Sequence, residues 1–294
     1  MAVTAAQVKE LRERTGAGMM ECKKALDMTH GDMELAVEEL RKSGRAKADK
    51  KSSRIAAEGS IVIRSTTDGK QAVMVEVNSE TDFVARDEHF LRFVEAVANT
   101  LLATRTADVN ELSKLTLAGT TMTVDEARQQ LIAKVGENIH VRRIALSGST
   151  GYVGSYAHGS RIGVLVELDI DNKELAKDIA MHIAASRPLV VAPSDVPPDL
   201  VAKEKEIYLA QAASSGKPQE IIEKMVQGKL KKYLDEISLL GQPFVKDPEM
   251  LVSALLNKHR AKIISFTRFE VGEGIEKASE DFVLAVMAQV HGSE

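Results

Sequence analysis

The side chains best suited to covalent or metal chemistry are few in this sequence and poorly placed for it. Cys22, the single cysteine, has Lys23 and Lys24 beside it, and neighbouring cations can lower a thiol pKa enough to make a nucleophile. Cys22 also lies on the apolar stripe of a predicted helix, so we favour a small core residue over an enzyme nucleophile. The seven histidines contain no pair at the helical spacing of a metal site, and His182, on an apolar face, is predicted to pack in the core.

Glycine-rich segments that could hold a phosphate group are incomplete. The Gly154 to Gly159 spacing is followed by Ser160, where a phosphate-binding loop needs a lysine. Gly272 and Gly274 begin a dinucleotide-type pattern, but Lys277 takes the place of its third glycine, which favours a turn. We therefore predict no catalytic residue, no metal, no cofactor and no nucleotide binding by the chain alone.

One polar segment contains an aromatic residue that the local pattern does not explain. Asn78–Asp87 follows a predicted central strand and places Phe83 beside Asp82 among turn-forming residues. Phe83 could be a hydrophobic staple that folds back onto the helix starting near Asp87. It could instead be an anchor that is buried when a partner binds, with the flanking carboxylate positioning it. The sequence leaves both interpretations open.

A second unusual segment, Thr15–Met20, lies within a predicted three-helix module. Thr4 and Gln7 have the spacing of a capping box at the first helix, and we predict that the third helix ends at Gly44. Two adjacent methionines follow a glycine pair, and core packing accounts for Met19 but not for Met20. Residues 45–54 are charged and have no apolar face, which predicts a solvated linker and a boundary near residue 55.

The middle of the chain carries one structural pattern twice. A predicted hairpin turns at Asp68-Gly69 and is followed by a helix whose apolar stripe runs from Phe90 to Leu101. Ninety-one positions after Val73–Val77, Val164–Leu168 repeats that strand, and a second helix follows. Because neither unit can bury its sheet face alone, we predict an α+β fold with a duplicated core of antiparallel sheets packed with helices. Residues 139–146 form a predicted strand at the seam.

The last third of the sequence is predicted to be largely helical. Residues 199–214 and 219–237 form a helical hairpin whose apolar faces require a docking surface. Asp247-Pro248 is predicted to open a further helix, and residues 263–271 a strand. A terminal helix is predicted from Ser279, in a segment where residues 270–294 hold six carboxylates and one lysine.

Composition excludes several classes of protein. A length of 294 residues suggests about two domains. The net charge of -4 and an aromatic content of 4% disfavour nucleic acid as the main ligand. The first residues lack the basic patch and apolar run of a signal peptide, so none is expected, and no membrane span is expected either. A single cysteine fits a reducing cytoplasm. An RNA-binding accessory protein remains a rival, since residues 1–54 hold twelve Lys and Arg and nine acidic residues.

The two unusual segments carry a family resemblance. Leu11–Leu26 and Glu76–Ala85 are similar to the two signatures of the bacterial translation elongation factor Ts family. Further similar stretches are His182–Ser186, Gly241–Phe244 and Arg268–Glu276, so the likeness spans nearly the whole chain. Family members commonly have cysteine where this chain has Ser79, which argues against a thiol role there and leaves the Asp-Phe pair intact.

The resemblance implies a nucleotide exchange factor without covalent chemistry of its own. Such a factor binds the GTPase elongation factor Tu loaded with GDP, releases GDP by disturbing the magnesium site, and is displaced when GTP enters. The resemblance assigns an exchange tip to Thr81, Asp82, Phe83 and Val84. It assigns an N-terminal contact with Tu to Thr15, Gly16, Ala17, Gly18, Met19 and Met20.

The resemblance and the sequence pattern together predict the domain organisation. The predicted parts are a UBA-like three-helix module with its basic linker (1–54), core subdomain N (55–146), core subdomain C (147–187 and 239–270), an inserted coiled-coil hairpin for dimerisation (188–238), and a C-terminal helical contact module (271–294). The expected partners are Tu and a second copy, as a homodimer or a two-by-two complex with Tu. No direct nucleic acid and no membrane contact are expected, and the expected location is the cytoplasm.

Overall fold

Three N-terminal helices surround a small apolar cluster in the computed structural model, which describes residues 3–213 and 218–276. Helix α1 (Ala5–Thr15) begins with the predicted capping box of Thr4 and Gln7 and ends at Gly16, whose φ of 67° lies in the left-handed region. Helices α2 (Met19–Met28) and α3 (Met33–Lys51) follow. Cys22 is fully buried in the cluster, which confirms its prediction as a core residue.

The first core unit is an antiparallel sheet with helices on one face. Its strand order is β1-β2-β3, from β1 (Glu58–Ser65), β2 (Gln71–Ser79) and β3 (Ile139–Gly148). Between β2 and β3 the chain forms α4 (Asp82–Ala85), α5 (Glu88–Thr104), α6 (Val109–Lys114) and α7 (Val124–Val135). The apolar stripe of α5 is buried with strand residues of β2, as predicted.

The second core unit repeats this arrangement. Strands β4 (Tyr152–His158), β5 (Ile162–Leu168) and β8 (Ile263–Glu270) form a sheet of order β4-β5-β8, and α8 (Lys173–Ser186) follows its central strand. The repeat extends to irregularities. The register shifts directly after Glu76 in the central strand of the first sheet and directly after Glu167, ninety-one positions later, in that of the second. Apolar residues from both sheets are buried between the two units, among them Ile61, Met74 and Leu165.

Helix α3 continues past Gly44 to Lys51, so two predictions for this region are wrong. The helix does not end at Gly44, and residues 45–51 are not a solvated linker. Their contact with α7 uses small residues: Ala48 is buried in the first core, and a Cβ on Gly44 would lie 3.8 Å from that of Ala133. A helix that packs through glycine and alanine shows no apolar stripe in its sequence, which explains the error.

A two-helix hairpin is inserted into the second unit. Its arms, α9 (Pro198–Ala213) and α10 (Gln219–Ile237), match the predicted helices. Its base is held by the chain before it, since the Leu189 N–H donates to the Ile237 carbonyl at 2.8 Å and the Leu239 N–H to the Val190 carbonyl at 2.9 Å. Within the described ranges, no helix is both long and apolar enough to cross a bilayer.

The segment after the hairpin differs from its prediction. Asp247-Pro248 does not open a helix: it begins β7 (Asp247–Leu251), which pairs with β6 (Pro243–Phe244), and α11 (Val252–His259) starts later. Phe244 is buried, and its pairing with Asp247 draws that residue into a hairpin. The predicted terminal helix from Ser279 lies outside the described residues.

Candidate functional site

The exchange tip predicted from the sequence is a single helical turn that exposes its aromatic residue. Thr81 caps α4, accepting a hydrogen bond at its Oγ1 from the Val84 N–H at 3.4 Å. Phe83 is 83% exposed, whereas Ala85 is buried in the first core and Val84 packs against it. One helical turn thus directs its small and aliphatic side chains inward and its ring outward. The staple interpretation of Phe83 is therefore wrong.

The tip rests on a rigid base. Glu137, in the turn between α7 and β3, accepts hydrogen bonds from the Thr81 N–H at 3.0 Å and from the Thr81 hydroxyl at 2.6 Å. In return, the Glu80 carboxylate accepts from the Asn138 N–H at 2.6 Å and pairs with Arg54 at 3.5 Å. Hydrogen bonds to ionised groups are stronger than neutral ones. The base of the tip is consequently fixed from two elements while its end projects.

Glu137 and Asn138 were missed by sequence reasoning. Glu137 is 56 positions from Thr81, and no periodic pattern or motif links the two residues. A carboxylate after the glycine that ends α7 is an ordinary turn residue in sequence. Its role depends on a tertiary contact that local spacing does not report.

The remaining residues around the tip form an exposed ion pair and cap the next helix. Asp82 pairs with Arg86 at 3.0 Å across one helical turn, and both side chains are well exposed. Asp87 caps α5, accepting from the N–H groups of His89 at 2.8 Å and Phe90 at 3.3 Å. The tip therefore presents a carboxylate and an aromatic ring side by side, directly before a rigid helix.

The second predicted contact, Thr15–Met20, is a tight connection between α1 and α2. The Thr15 hydroxyl donates to the Leu11 carbonyl at 2.7 Å and accepts from the Ala17 N–H at 3.3 Å, which fixes the turn. Met19 and Met20 are 57% and 74% exposed. The expectation that Met19 packs in the core is wrong, because Cys22, Ala25 and Leu26 form the buried stripe of α2 and Met19 lies in its first, projecting turn.

The fold brings this connection close to the helix that follows the tip. Thr15 and Gly16 line one groove together with His89, Arg92 and Phe93 of α5. The N-terminal module packs on the first unit through α3 and α7, and its α1–α2 connection lies across this groove from the end of α5 at which the tip is attached. The two predicted contacts belong to one region of the molecule, separated by the first turns of that helix.

The groups considered for chemistry are buried and engaged in packing. Burial raises the pKa of the Cys22 thiol, which disfavours a reactive thiolate. His182 is buried, and its Nδ1 accepts a hydrogen bond from the Val245 N–H at 3.1 Å. Its Nε2 lies 2.9 Å from the Gln242 Oε1. Its Nε2 therefore carries the proton and donates to Gln242. Burial lowers the pKa of His182, as expected for a neutral core histidine. The described part of the chain contains no group of three His, Cys, Asp or Glu residues able to hold a metal ion.

Comparison with known proteins gives one consistent result. A family model described as elongation factor TS matches residues 80–273. The chain is 56% identical over 288 residues to elongation factor Ts of Legionella pneumophila (strain Paris), covering 98% of each chain. It is 58% identical to elongation factor Ts of Thioalkalivibrio sulfidiphilus and 57% identical to that of Methylococcus capsulatus, in both cases over the full length of each chain.

Proposed function

The chain belongs to the elongation factor Ts family, and from that premise we propose that it is the guanine nucleotide exchange factor of elongation factor Tu in translation. It binds Tu loaded with GDP, promotes the loss of GDP, and leaves when GTP binds. It makes and breaks no covalent bond. The observation that carries this proposal is Phe83, an exposed aromatic ring on a base held by Glu137.

The geometry of the tip suits it to act on a partner. Exposing a large apolar side chain to water is unfavourable, so burying it on binding is favourable. Aromatic residues that become buried in this way often dominate the energy of an interface. The base of the tip is already ordered by the hydrogen bonds of Thr81 to Glu137. Binding then costs less conformational entropy than it would for a flexible loop.

The mechanism follows from how Tu holds its nucleotide. Magnesium neutralises phosphate charge, so disturbing its coordination removes a large share of nucleotide affinity. We propose that Phe83 enters the nucleotide domain of Tu near that site, with Asp82 beside it and Thr81 and Val84 supporting the turn. The coupling is reciprocal: if this protein weakens GDP binding by some factor, GDP weakens binding of this protein equally. A ternary complex therefore forms and then decays.

The duplicated core supports a functional rather than architectural origin of the tip. In the first unit eight residues, 80–87, connect the central strand to its helix, whereas in the second unit four residues, 169–172, make the same connection. The frame can thus be closed without a tip. The additional residues contain α4 and its exposed ring.

Other surfaces complete the proposal. Met19 and Met20 are flexible apolar side chains suited to an adaptable contact, and we assign them with Thr15, Gly16, Ala17 and Gly18 to a second Tu contact. We assign the hairpin, whose arms expose Ile207, Leu209 and Ile221, to contact with a second copy. The acidic segment 271–294 is the proposed third contact with Tu, and the cytoplasm is the proposed location.

Release of a fluorescent GDP analogue from Tu tests the function directly. Adding this protein should accelerate release at least tenfold, which lowers the activation free energy of release by about 1.4 kcal/mol. Excess unlabelled GDP should reverse complex formation, because the two ligands compete through the same coupling. Unchanged release at saturating concentrations of this protein would contradict the proposal.

A further inference from the structure

One carboxylate on the central strand of the first unit is fully buried and unusually well bonded. Glu76 lies on β2, five residues before Thr81, with no exposed side-chain surface. It accepts hydrogen bonds from Arg142 at 3.1 Å, Asn78 at 3.0 Å and the Gly272 N–H at 2.9 Å, and from the Arg143 Nε. Burial opposes ionisation, but these donors outweigh it and hold the pKa of Glu76 below its ordinary value.

The bonds of Glu76 reach the segment that leaves the second sheet. Gly272 lies two residues after the end of β8, and its φ of 74° turns the chain away from the strand. Arg143 strengthens this junction: its Nη2 donates to the Glu270 carbonyl at 3.0 Å and lies 3.4 Å from the Glu273 carboxylate. Its guanidinium also stacks 4.1 Å from the centre of the Phe269 ring. Glu76 thus joins the strand that carries the tip to the start of the C-terminal segment.

The repeat supplies an internal comparison for this carboxylate. Glu167 occupies the same position before the register shift in β5, and it accepts from the Ser147 hydroxyl at 2.6 Å and the Gly148 N–H at 3.0 Å. Both glutamates therefore bond a glycine N–H of the other unit. Glu167 accepts its hydrogen bonds from the end of β3, whereas Glu76 accepts from the start of the C-terminal segment and from two arginines.

We propose that Glu76 is a positioning residue for nucleotide exchange, which fixes the segment beginning at Gly272 relative to the tip at Thr81–Val84. This inference rests on the proposed function, in which both segments contact Tu. Two contacts held in one geometry bind as a single unit, because the second forms at a high effective concentration once the first is made. Ile275 and the residues around the tip base, Arg54 and Asn138, line a common groove, which places the segment beside that base.

A distance measurement tests the positioning without Tu. Spin labels are attached at Glu88→Cys, just after the tip, and Glu276→Cys, both exposed positions, in a Cys22→Ala background. The parent should give one narrow distance distribution. Glu76→Gln keeps the size and the oxygen that accepts from Gly272, but it presents an amide N–H to the Arg143 Nε–H. Arg143, which also holds the Glu270 carbonyl and the Glu273 carboxylate, is then displaced, and the distribution should become at least twofold broader. The matched Glu167→Gln should stay narrow. A narrow distribution for Glu76→Gln overturns the proposal, whatever the protein does to Tu.

Exchange kinetics test the consequence. In Glu76→Gln, the concentration that gives half-maximal GDP release should rise about tenfold while the maximal rate changes less than about twofold. Glu167→Gln should leave both values unchanged. A lower maximal rate with unchanged half-saturation would overturn positioning in favour of a direct effect on the tip. A parent protein inactive in exchange would refute the proposed function and leave the distance result standing.

A second variant covers the case in which Glu76→Gln does not fold. A Cβ on Gly272 would lie 2.2 Å from the Ala57 carbonyl oxygen, so Gly272→Ala displaces the segment and keeps the carboxylate. It should broaden the same distance and raise the same half-saturating concentration. If it does neither while circular dichroism shows a folded chain, the proposal fails.

Discussion

Phe83→Ala is the sharpest test of the exchange tip, because the structure separates its two possible effects. The ring is 83% exposed and its removal leaves the hydrogen bonds between Thr81 and Glu137 in place. Substitutions at such positions usually change the free energy of unfolding by no more than about 0.5 kcal/mol. The melting temperature of Phe83→Ala should therefore stay close to that of the parent.

Phe90→Ala provides the matched control seven residues along the chain. Phe90 has no exposed surface and packs in the first core with residues of β2. Removing a buried Phe side chain costs about 3 to 5 kcal/mol of folding stability. The two variants remove the same atoms, so any difference between them reflects the burial of the ring. The melting temperature should fall strongly for Phe90→Ala and stay close to that of the parent for Phe83→Ala.

Exchange should show the reverse order. We expect Phe83→Ala to slow stopped-flow release of fluorescent GDP from Tu at least tenfold, about 1.4 kcal/mol, as for an interface anchor. A titration to saturation then separates weaker docking, which concentration rescues, from a failure to disturb the magnesium site, which it does not. Normal exchange by Phe83→Ala, with or without a lowered melting temperature, would refute the assignment.

Three further predictions follow from other contacts of the structure. Glu137→Gln should slow exchange severalfold, because the base of the tip loses a charged acceptor for both Thr81 donors; stopped-flow release should detect this, and an unchanged rate would show that the base need not be rigid. Because burial lowers the pKa of His182, the unfolded chain binds more protons below about pH 6.5, so stability present above that pH is lost as the pH falls towards the folded-state pKa. Urea unfolding between pH 7.5 and 5 should show this loss, and the dependence of stability on pH should be weaker in His182→Gln than in the parent. Replacing residues 199–236 by a short flexible joiner should leave a folded core that is active in exchange, because Ile237 and Leu239 retain their backbone hydrogen bonds to Leu189 and Val190. Loss of folding, measured by circular dichroism, or loss of accelerated GDP release would contradict this prediction.

The elements that sequence reasoning identified correctly depend on local contacts. The capping box at Thr4 joins residues three positions apart, and it is present. The apolar stripe of α5 likewise reflects a single element that faces one core. Such features are encoded within a few residues, so one sequence suffices to predict them.

The errors concern residues whose environment is supplied by distant parts of the chain. The helix α3 continues through Gly44 because this residue packs closely against α7. Asp247 joins a strand because it pairs with the buried Phe244. At the candidate site, spacing alone could not decide whether Phe83 folds inward. The answer depends on Val84 and Ala85 taking the inward positions and on Glu137 holding Thr81 from another element.

The two core units together separate the requirements of the fold from those of exchange. Both need a central strand, a following helix and a glutamate that bonds a glycine of the other unit, and Glu76 and Glu167 meet that need at equivalent positions. The first unit alone adds a helical turn between strand and helix, and it alone surrounds its glutamate with two arginines and the C-terminal segment. A stabilising role common to both units would not require these additions. Because Glu76 lies on β2 and Thr81, which caps the added turn, follows it by five residues, we infer that both additions serve one process. The tip acts on the partner, and the buried carboxylate holds the rest of the contact surface in a fixed position relative to it.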